Sequence, residues 1–82
     1  MPNNDIKRSA VQAVCLYEEL VKVNAHKQEI RSAYATASDL TDYYGEYLDS
    51  LWNNGEYPDY SLYYNLRSRL DLTHGEFINL FG

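Results

Sequence analysis

The feature that most constrains this chain is a long segment free of helix-breaking residues, since neither glycine nor proline occurs from Asp5 to Tyr44. Apolar residues recur in its first part at steps of three and four, at Ile6, Ala10, Ala13, Val14, Tyr17, Leu20 and Val21. This spacing is typical of an amphipathic helix that buries one face. The stripe loses phase near residues 24–28 and then resumes. We therefore predict one helix over about 5–35, and the pattern leaves open a bend or a break at 24–28.

Two further helices are predicted in the middle of the chain. A T-x-x-D capping pattern begins at Thr36 and predicts a second helix over about 39–53. Gly55 supplies the left-handed conformation on which helices commonly end. Pro58 suits the turn, or the first helical residue, ahead of a third helix over about 59–70.

The C-terminal segment predicts a short fourth helix. The run Thr73-His74-Gly75-Glu76 has the form of a capping box and precedes an apolar stretch, which indicates a helix over about 74–81. No alternation of apolar and polar residues runs long enough to suggest a strand. The expected fold is all-α: one domain over residues 1–82, a small bundle of three to four helices with a long N-terminal helix.

The first helix and the composition bear on assembly and location. An unbroken helix over 5–35 would be roughly 45 Å long, more than a domain of this size needs, and this favours a homodimer along that helix. Cys15 is the only cysteine, so no internal disulfide is possible. The chain has neither the apolar start of a signal peptide nor a stretch long enough to span a membrane. We therefore expect a cytoplasmic protein with no membrane partner.

Charge and tyrosine are concentrated in the same part of the chain. The net charge is −5, and residues 32–60 hold no basic residue but six acidic ones: Asp39, Asp42, Glu46, Asp49, Glu56 and Asp59. Eight of the nine tyrosines fall between Tyr34 and Tyr64. Because the net charge is negative, direct binding to nucleic acid is not expected.

The second predicted helix carries four acids on one face, Asp39, Asp42, Glu46 and Asp49, here called the acidic stripe. At 100° per residue they fall within an arc of roughly 80°, with a charge about every 5 Å along the axis. The opposite face is apolar and is expected to pack inward. We predict a non-enzymatic regulatory protein that docks a protein partner with a basic surface on this helix. The expected binding residues are Asp39, Asp42, Tyr43, Glu46, Asp49, Asn53 and Tyr57.

Two other interpretations of the acidic stripe remain open. Its charge spacing is comparable to that of the phosphates of a nucleic-acid strand. An inhibitor that mimics nucleic acid, such as a phage-encoded anti-defence protein of the anti-CRISPR kind, is therefore the alternative function. The other interpretation is a solvated helix face with no partner.

The tyrosines divide into two expected groups. Four are expected to be buried or half-buried packing residues: Tyr44, Tyr47, Tyr60 and Tyr63. The other three are hard to bury together and are candidate interface residues: Tyr43, Tyr57 and Tyr64.

No catalytic or metal-binding constellation is evident. His26 and His74 lie in different segments, without a Cys, Asp or Glu at metal-ligand spacing. Cys15 follows Val14 on the apolar side of the first helix and is expected to be a buried, inert thiol. We expect no enzymatic activity, no catalytic residue, no metal and no cofactor.

The last 17 residues, Leu66 to Gly82, resemble the opening of a phage-repressor-type helix-turn-helix domain. In that family a helix leads into a second helix with the pattern L-T-x-x-E-F-x-x-L-x-G. The resemblance implies a turn and a recognition helix for the major groove, which would follow the matched segment. A truncated helix-turn-helix protein that uses Arg67 and Arg69 against DNA is therefore a further alternative.

Overall fold

The computed structural model describes the backbone of residues 3–81 and the side chains of residues 5–79. This range forms three helices and no strand: α1 (Asn3–Lys22), α2 (Lys27–Asn53) and α3 (Ser61–Phe81). The predicted small all-α bundle is thus confirmed, with three helices in place of four. None of the helices in this range is long and apolar enough to cross a membrane.

The predicted long N-terminal helix is divided into two. α1 ends at Lys22, and Asn24 takes the left-handed conformation with φ of 56°. The N–H of Ala25 then donates to the carbonyl of Leu20 at 3.0 Å, as in a Schellman motif. The range 5–35 is therefore wrong, and the break lies where the apolar stripe loses phase. The argument for a dimer from the length of this helix loses its basis.

α2 begins directly after this turn and not at residue 39. The Nδ1 atom of His26 accepts a hydrogen bond from the N–H of Gln28 at 3.1 Å, which caps the new helix. The predicted start near residue 39 is wrong because a single buried stripe continues through the capping pattern that begins at Thr36, so packing keeps the helix intact. The buried residues of α2 are Ile30, Ala37, Thr41, Tyr44, Gly45 and Leu48.

The end of α2 follows the prediction. The helix stops at Asn53, and Gly55 has a φ of +87°. The N–H of Glu56 donates to the carbonyl of Leu51 at 3.0 Å, which makes a second Schellman motif. The next helix is capped by Asp59, whose carboxylate accepts from the side chain and the backbone N–H of Ser61, and these bonds lower the pKa of Asp59.

α3 is a single helix from residue 61 to residue 81, so the predicted break at 71–73 and the fourth helix are wrong. His74, expected near a helix start, lies inside α3, and its ring stacks on Tyr34 with centroids 3.9 Å apart. It also lies 3.5 Å from the Tyr17 hydroxyl. Through these contacts His74 packs into the bundle at the point where the apolar pattern of α3 is interrupted. The helix-turn-helix pattern has two separate helices, whereas the matched segment lies in one continuous helix. Gly82, the last residue of that segment, is outside the described residues.

The helices run up, down and up, with α1 and α2 in the most extensive contact and α3 against both. The fully buried side chains Tyr17, Ile30, Leu66 and Leu70 come from all three helices. The core cluster consists of Ile6, Ala10, Val14, Tyr17, Ile30, Ala37, Tyr44, Leu48, Leu66, Leu70 and Phe77. The resulting molecule is elongated and thin, 44 × 21 × 14 Å.

A salt bridge between Arg69 and Glu18 joins α3 to α1. Two nitrogens of Arg69 donate to the two carboxylate oxygens of Glu18, and the hydrogen bond with Glu18 raises the pKa of Arg69. A third contact reaches the thiol of Cys15 at 3.6 Å. Cys15 is exposed, so its predicted burial is wrong. It sits at the margin of the α1–α3 contact, where the arginine passes over it.

Candidate functional site

The acidic stripe forms one wall of a groove between α2 and α3. The groove has a volume of about 480 Å³ and is called here the α2–α3 groove. Its lining residues are Asp42, Gly45, Glu46, Asp49, Tyr60, Tyr63 and Tyr64. The tertiary structure therefore combines three carboxylates of the stripe with Tyr60, just before α3, and with Tyr63 and Tyr64 in its first turn.

Arg67 lies beside one end of this groove, where it pairs with Asp42 and changes the charge of the stripe. Its Nη1 atom donates to Asp42 at 3.2 Å and to the hydroxyl of Ser38 at 3.1 Å. Its Nη2 atom donates to Asp71 at 3.0 Å. Partial burial opposes the charge, but the hydrogen bond and charge of Asp71, with the charge of Asp42, raise the pKa of Arg67. No basic residue lies near the acidic stripe in the sequence, but in the folded chain Arg67 of α3 lies next to it.

Asp49 is held at the other end of the groove by a tyrosine. The hydroxyl of Tyr60 donates to the Asp49 carboxylate at 2.8 Å. Partial burial and this hydrogen bond raise the pKa of Tyr60, because ionisation would place a phenolate beside a carboxylate. The bond fixes both the carboxylate and the ring, so this end of the groove is ordered before any ligand arrives.

Between these ends, Glu46 is exposed, and no ion pair or side-chain hydrogen bond to it occurs within the described part of the chain. Gly45 lies on the floor of the groove and lets the ring of Tyr63 approach closely. A Cβ atom at this position would lie 2.6 Å from Tyr63 Cε1, which is closer than side chains tolerate. The glycine is therefore required by the way in which the tyrosine seats against α2.

The other residues predicted for partner binding lie outside the α2–α3 groove. Asp39 is exposed and has no cation within ion-pair distance among the described residues, while Asn53 is exposed at the end of α2. Tyr43 lies on a different side of α2 and lines a small pocket of about 80 Å³ toward α1. Tyr57 is 86% exposed and makes an edge contact with Trp52, at a centroid distance of 5.6 Å.

The expected division of the tyrosines is confirmed. Tyr44 is buried, whereas Tyr47, Tyr60 and Tyr63 are half-buried. The expected interface group, Tyr43, Tyr57 and Tyr64, is exposed. The prediction nevertheless missed that the half-buried Tyr60 and Tyr63 also line the α2–α3 groove. Their spacing with Tyr64, at i, i+3 and i+4, was the available signal, since such residues share a helix face.

The chemistry of the α2–α3 groove is that of a cation-binding surface. Its lining combines carboxylates with aromatic rings and contains no histidine, cysteine or serine. Carboxylates and the faces of tyrosine rings both attract positive charge. Within the described residues no cluster of histidine, cysteine and acidic residues could hold a metal ion. The lining of the groove can therefore contact a positively charged group through carboxylates and ring faces.

No protein-family model, curated protein or solved structure matches this chain. The geometry and charge of the molecule are therefore the basis for any functional proposal.

Proposed function

We propose that this protein is a non-enzymatic binding protein that docks a basic surface of another protein on the acidic stripe and the α2–α3 groove. The observation that carries the proposal is the juxtaposition of Asp42, Glu46 and Asp49 with three tyrosines in one groove. Tyrosine and charge complementarity are both frequent in interfaces, where the ring supplies contact area and the charge supplies specificity. Glu46 and Asp39 carry charges that no cation in the described chain compensates.

The groove favours binding over catalysis. General acid–base and nucleophilic catalysis need a positioned group with a matched pKa, most often histidine, or an activated nucleophile such as serine or cysteine. Histidine, serine and cysteine are absent from the groove lining. Carboxylates can also act as general acids or bases, but Asp42, Glu46 and Asp49 are exposed to solvent, whereas catalytic carboxylates are usually held in a desolvated site. A solvated face with no partner remains the competing interpretation. That interpretation does not explain why three tyrosines line the same groove, because a helix face in contact with water alone gains nothing from exposed aromatic rings.

Mimicry of nucleic acid is supported less well than docking to a basic protein surface. A phosphate series is evenly charged, whereas here Arg67 pairs with Asp42 and the Tyr60 hydroxyl bonds to Asp49. These contacts make the four charges of the stripe unequal. Arg67 and Arg69 are also engaged with carboxylates of this chain, which leaves the alternative of DNA binding through them without free donors for phosphate.

The test is a charge reversal that leaves the internal ion pairs intact. Asp39→Lys/Glu46→Lys inverts the two uncompensated carboxylates and spares Asp42 and Asp49, which have partners within the fold. The matched control is Glu19→Lys/Glu76→Lys, which makes the same change in net charge at exposed sites on α1 and α3.

Each variant and the wild-type protein are used to capture partners from cell lysate at low and high salt, after circular dichroism has established that they are folded. We expect a protein partner to be recovered by the wild type and by the control, and to be lost with the stripe variant. Equal recovery by all three proteins would refute docking on the acidic stripe. Displacement of the captured partner by duplex DNA would favour mimicry.

A further inference from the structure

The contact between α2 and α3 follows a regular antiparallel register. Asp42 on α2 faces Arg67 on α3, and seven residues further along α2, Asp49 faces Tyr60, seven residues back along α3. Gly45 lies between these pairs and meets Tyr63. The same wall of carboxylates thus faces an arginine at one end of the α2–α3 groove and tyrosines at the other.

The Arg67 end shows how this surface holds a guanidinium group. The two terminal nitrogens of Arg67 are taken by two separate carboxylates, Asp42 at 3.2 Å and Asp71 at 3.0 Å, and a hydroxyl completes the set. The planar guanidinium group of arginine can donate hydrogen bonds to two separate carboxylates at once, whereas the ammonium group of lysine is a compact point charge. The side chain of Arg67 remains only 24% exposed in this arrangement.

The Tyr60 end offers two carboxylates with no arginine of this chain between them, and one oxygen of Asp49 there accepts from the Tyr60 hydroxyl. Glu46 and Asp49 are three residues apart on α2 and both line the groove. Opposite them, α3 presents the rings of Tyr63 and Tyr64, whose centroids are 5.4 Å apart and whose planes meet at 63°. Tyr64 is 63% exposed, so one ring is open to a ligand.

We propose that this end of the α2–α3 groove receives an arginine side chain of the protein partner. The guanidinium binds between the carboxylates of Glu46 and Asp49 and stacks on the exposed ring of Tyr64. Arginine is favoured over lysine because its planar group both stacks on an aromatic face and forms paired hydrogen bonds. The proposal rests on the docking function above and names the side chain that the docking surface recognises.

Two blocked tripeptides of equal charge, acetyl-tri-arginine amide and acetyl-tri-lysine amide, serve as probes. Each is titrated into the full chain while backbone and tyrosine ring resonances are followed by NMR. We expect saturable shifts centred on Glu46, Asp49 and Tyr64, with tri-arginine bound roughly fivefold tighter than tri-lysine. Equal affinities for the two peptides, or shifts spread over every acidic part of the surface, would overturn the proposal.

Two variants separate stacking from charge. Tyr64→Leu removes the ring face but keeps apolar bulk. It is expected to reduce the preference for arginine from roughly fivefold to about twofold, the part that paired hydrogen bonds supply, while leaving the affinity for tri-lysine within about twofold. Glu46→Gln is expected to weaken both peptides, because it removes a charge that both of them use. Trp52→Leu, at an exposed aromatic residue outside the groove, is the control and should change neither affinity. An undiminished preference for arginine in Tyr64→Leu would refute the stacking site.

The failure of this proposal is distinguishable from failure of the docking function. If the stripe charge reversal abolishes partner capture while the two tripeptides bind equally well, docking stands and the arginine site is refuted. If the charge reversal has no effect on partner capture, the docking function fails, and the arginine site, which rests on that function, fails with it.

Discussion

At the scale of single residues, Thr41 is fully buried in α2, and its hydroxyl has no hydrogen-bond partner within the described structure. A buried hydroxyl without a partner carries a desolvation cost that a methyl group does not. Thr41→Val keeps the branched shape and is expected to raise the free energy of unfolding by about 1 kcal/mol, measured by urea denaturation. Thr41→Ser keeps the hydroxyl and loses the methyl group, so it should lower stability by about 0.8 kcal/mol. A Thr41→Val variant less stable than the wild type would indicate that the hydroxyl is satisfied in solution.

The buried Tyr17 makes the free energy of unfolding depend on pH in the alkaline range. Burial, with a smaller contribution from Tyr34, raises the pKa of Tyr17 from 10.0 to about 12. Between these values the unfolded chain has released a proton that the folded chain retains. Stability is therefore complete below about pH 10 and falls as the pH rises toward about 12, by up to about 2–3 kcal/mol. Urea unfolding across this range should show a flatter decline for Tyr17→Phe, and parallel curves for the two proteins would contradict the assignment.

At the scale of elements, two glycines in helices have opposite roles. Gly75 lies inside α3 with nothing within 4 Å of a built Cβ, whereas a Cβ at Gly45 would collide with the ring of Tyr63. Gly75→Ala is expected to stabilise the protein by about 0.5–1 kcal/mol, because alanine restricts the unfolded chain and favours helix. Gly45→Ala gains the same helix propensity, but its Cβ atom crowds the α2–α3 contact. This crowding is expected to cost about 1–3 kcal/mol of the free energy of unfolding. Thermal unfolding should rank Gly75→Ala above the wild type and Gly45→Ala below Gly75→Ala, and equal stabilisation by both would show that Tyr63 moves freely.

At the scale of the whole molecule, two ion pairs among the described residues join α3 to the other helices, and they differ in burial. The side chains of Arg69 and Glu18 are about one-third exposed and form a two-point contact between α1 and α3, whereas Asp42 in the Arg67 pair is 57% exposed. A double-mutant cycle with Arg69→Met and Glu18→Gln is expected to give a coupling energy of about 1–2 kcal/mol. The control cycle with Arg67→Met and Asp42→Asn should give less than about 1 kcal/mol. Equal coupling energies would show that burial does not set the strength of these contacts.

The helix boundaries show which local signals are reliable. Gly55 ended α2 as predicted, because a left-handed residue after a helix satisfies the last carbonyls through bonds that are entirely local. The capping patterns at Thr36 and Thr73 did not begin helices, because each lies inside a continuous buried stripe. A side chain that can cap a helix does so only where the backbone N–H groups are free, and here they stay bonded within the helix.

The sequence by itself determined that this chain is helical, which faces of its helices are apolar, and where acid and tyrosine are concentrated. Periodicity and residue type are properties of neighbouring residues, so these features did not depend on the fold. Only the tertiary structure decided that Arg67 neutralises Asp42 and that Tyr60, Tyr63 and Tyr64 close a groove against the acidic stripe. Those contacts join residues that lie 11 to 25 positions apart along the chain, and no local pattern encodes the register in which α2 and α3 pack.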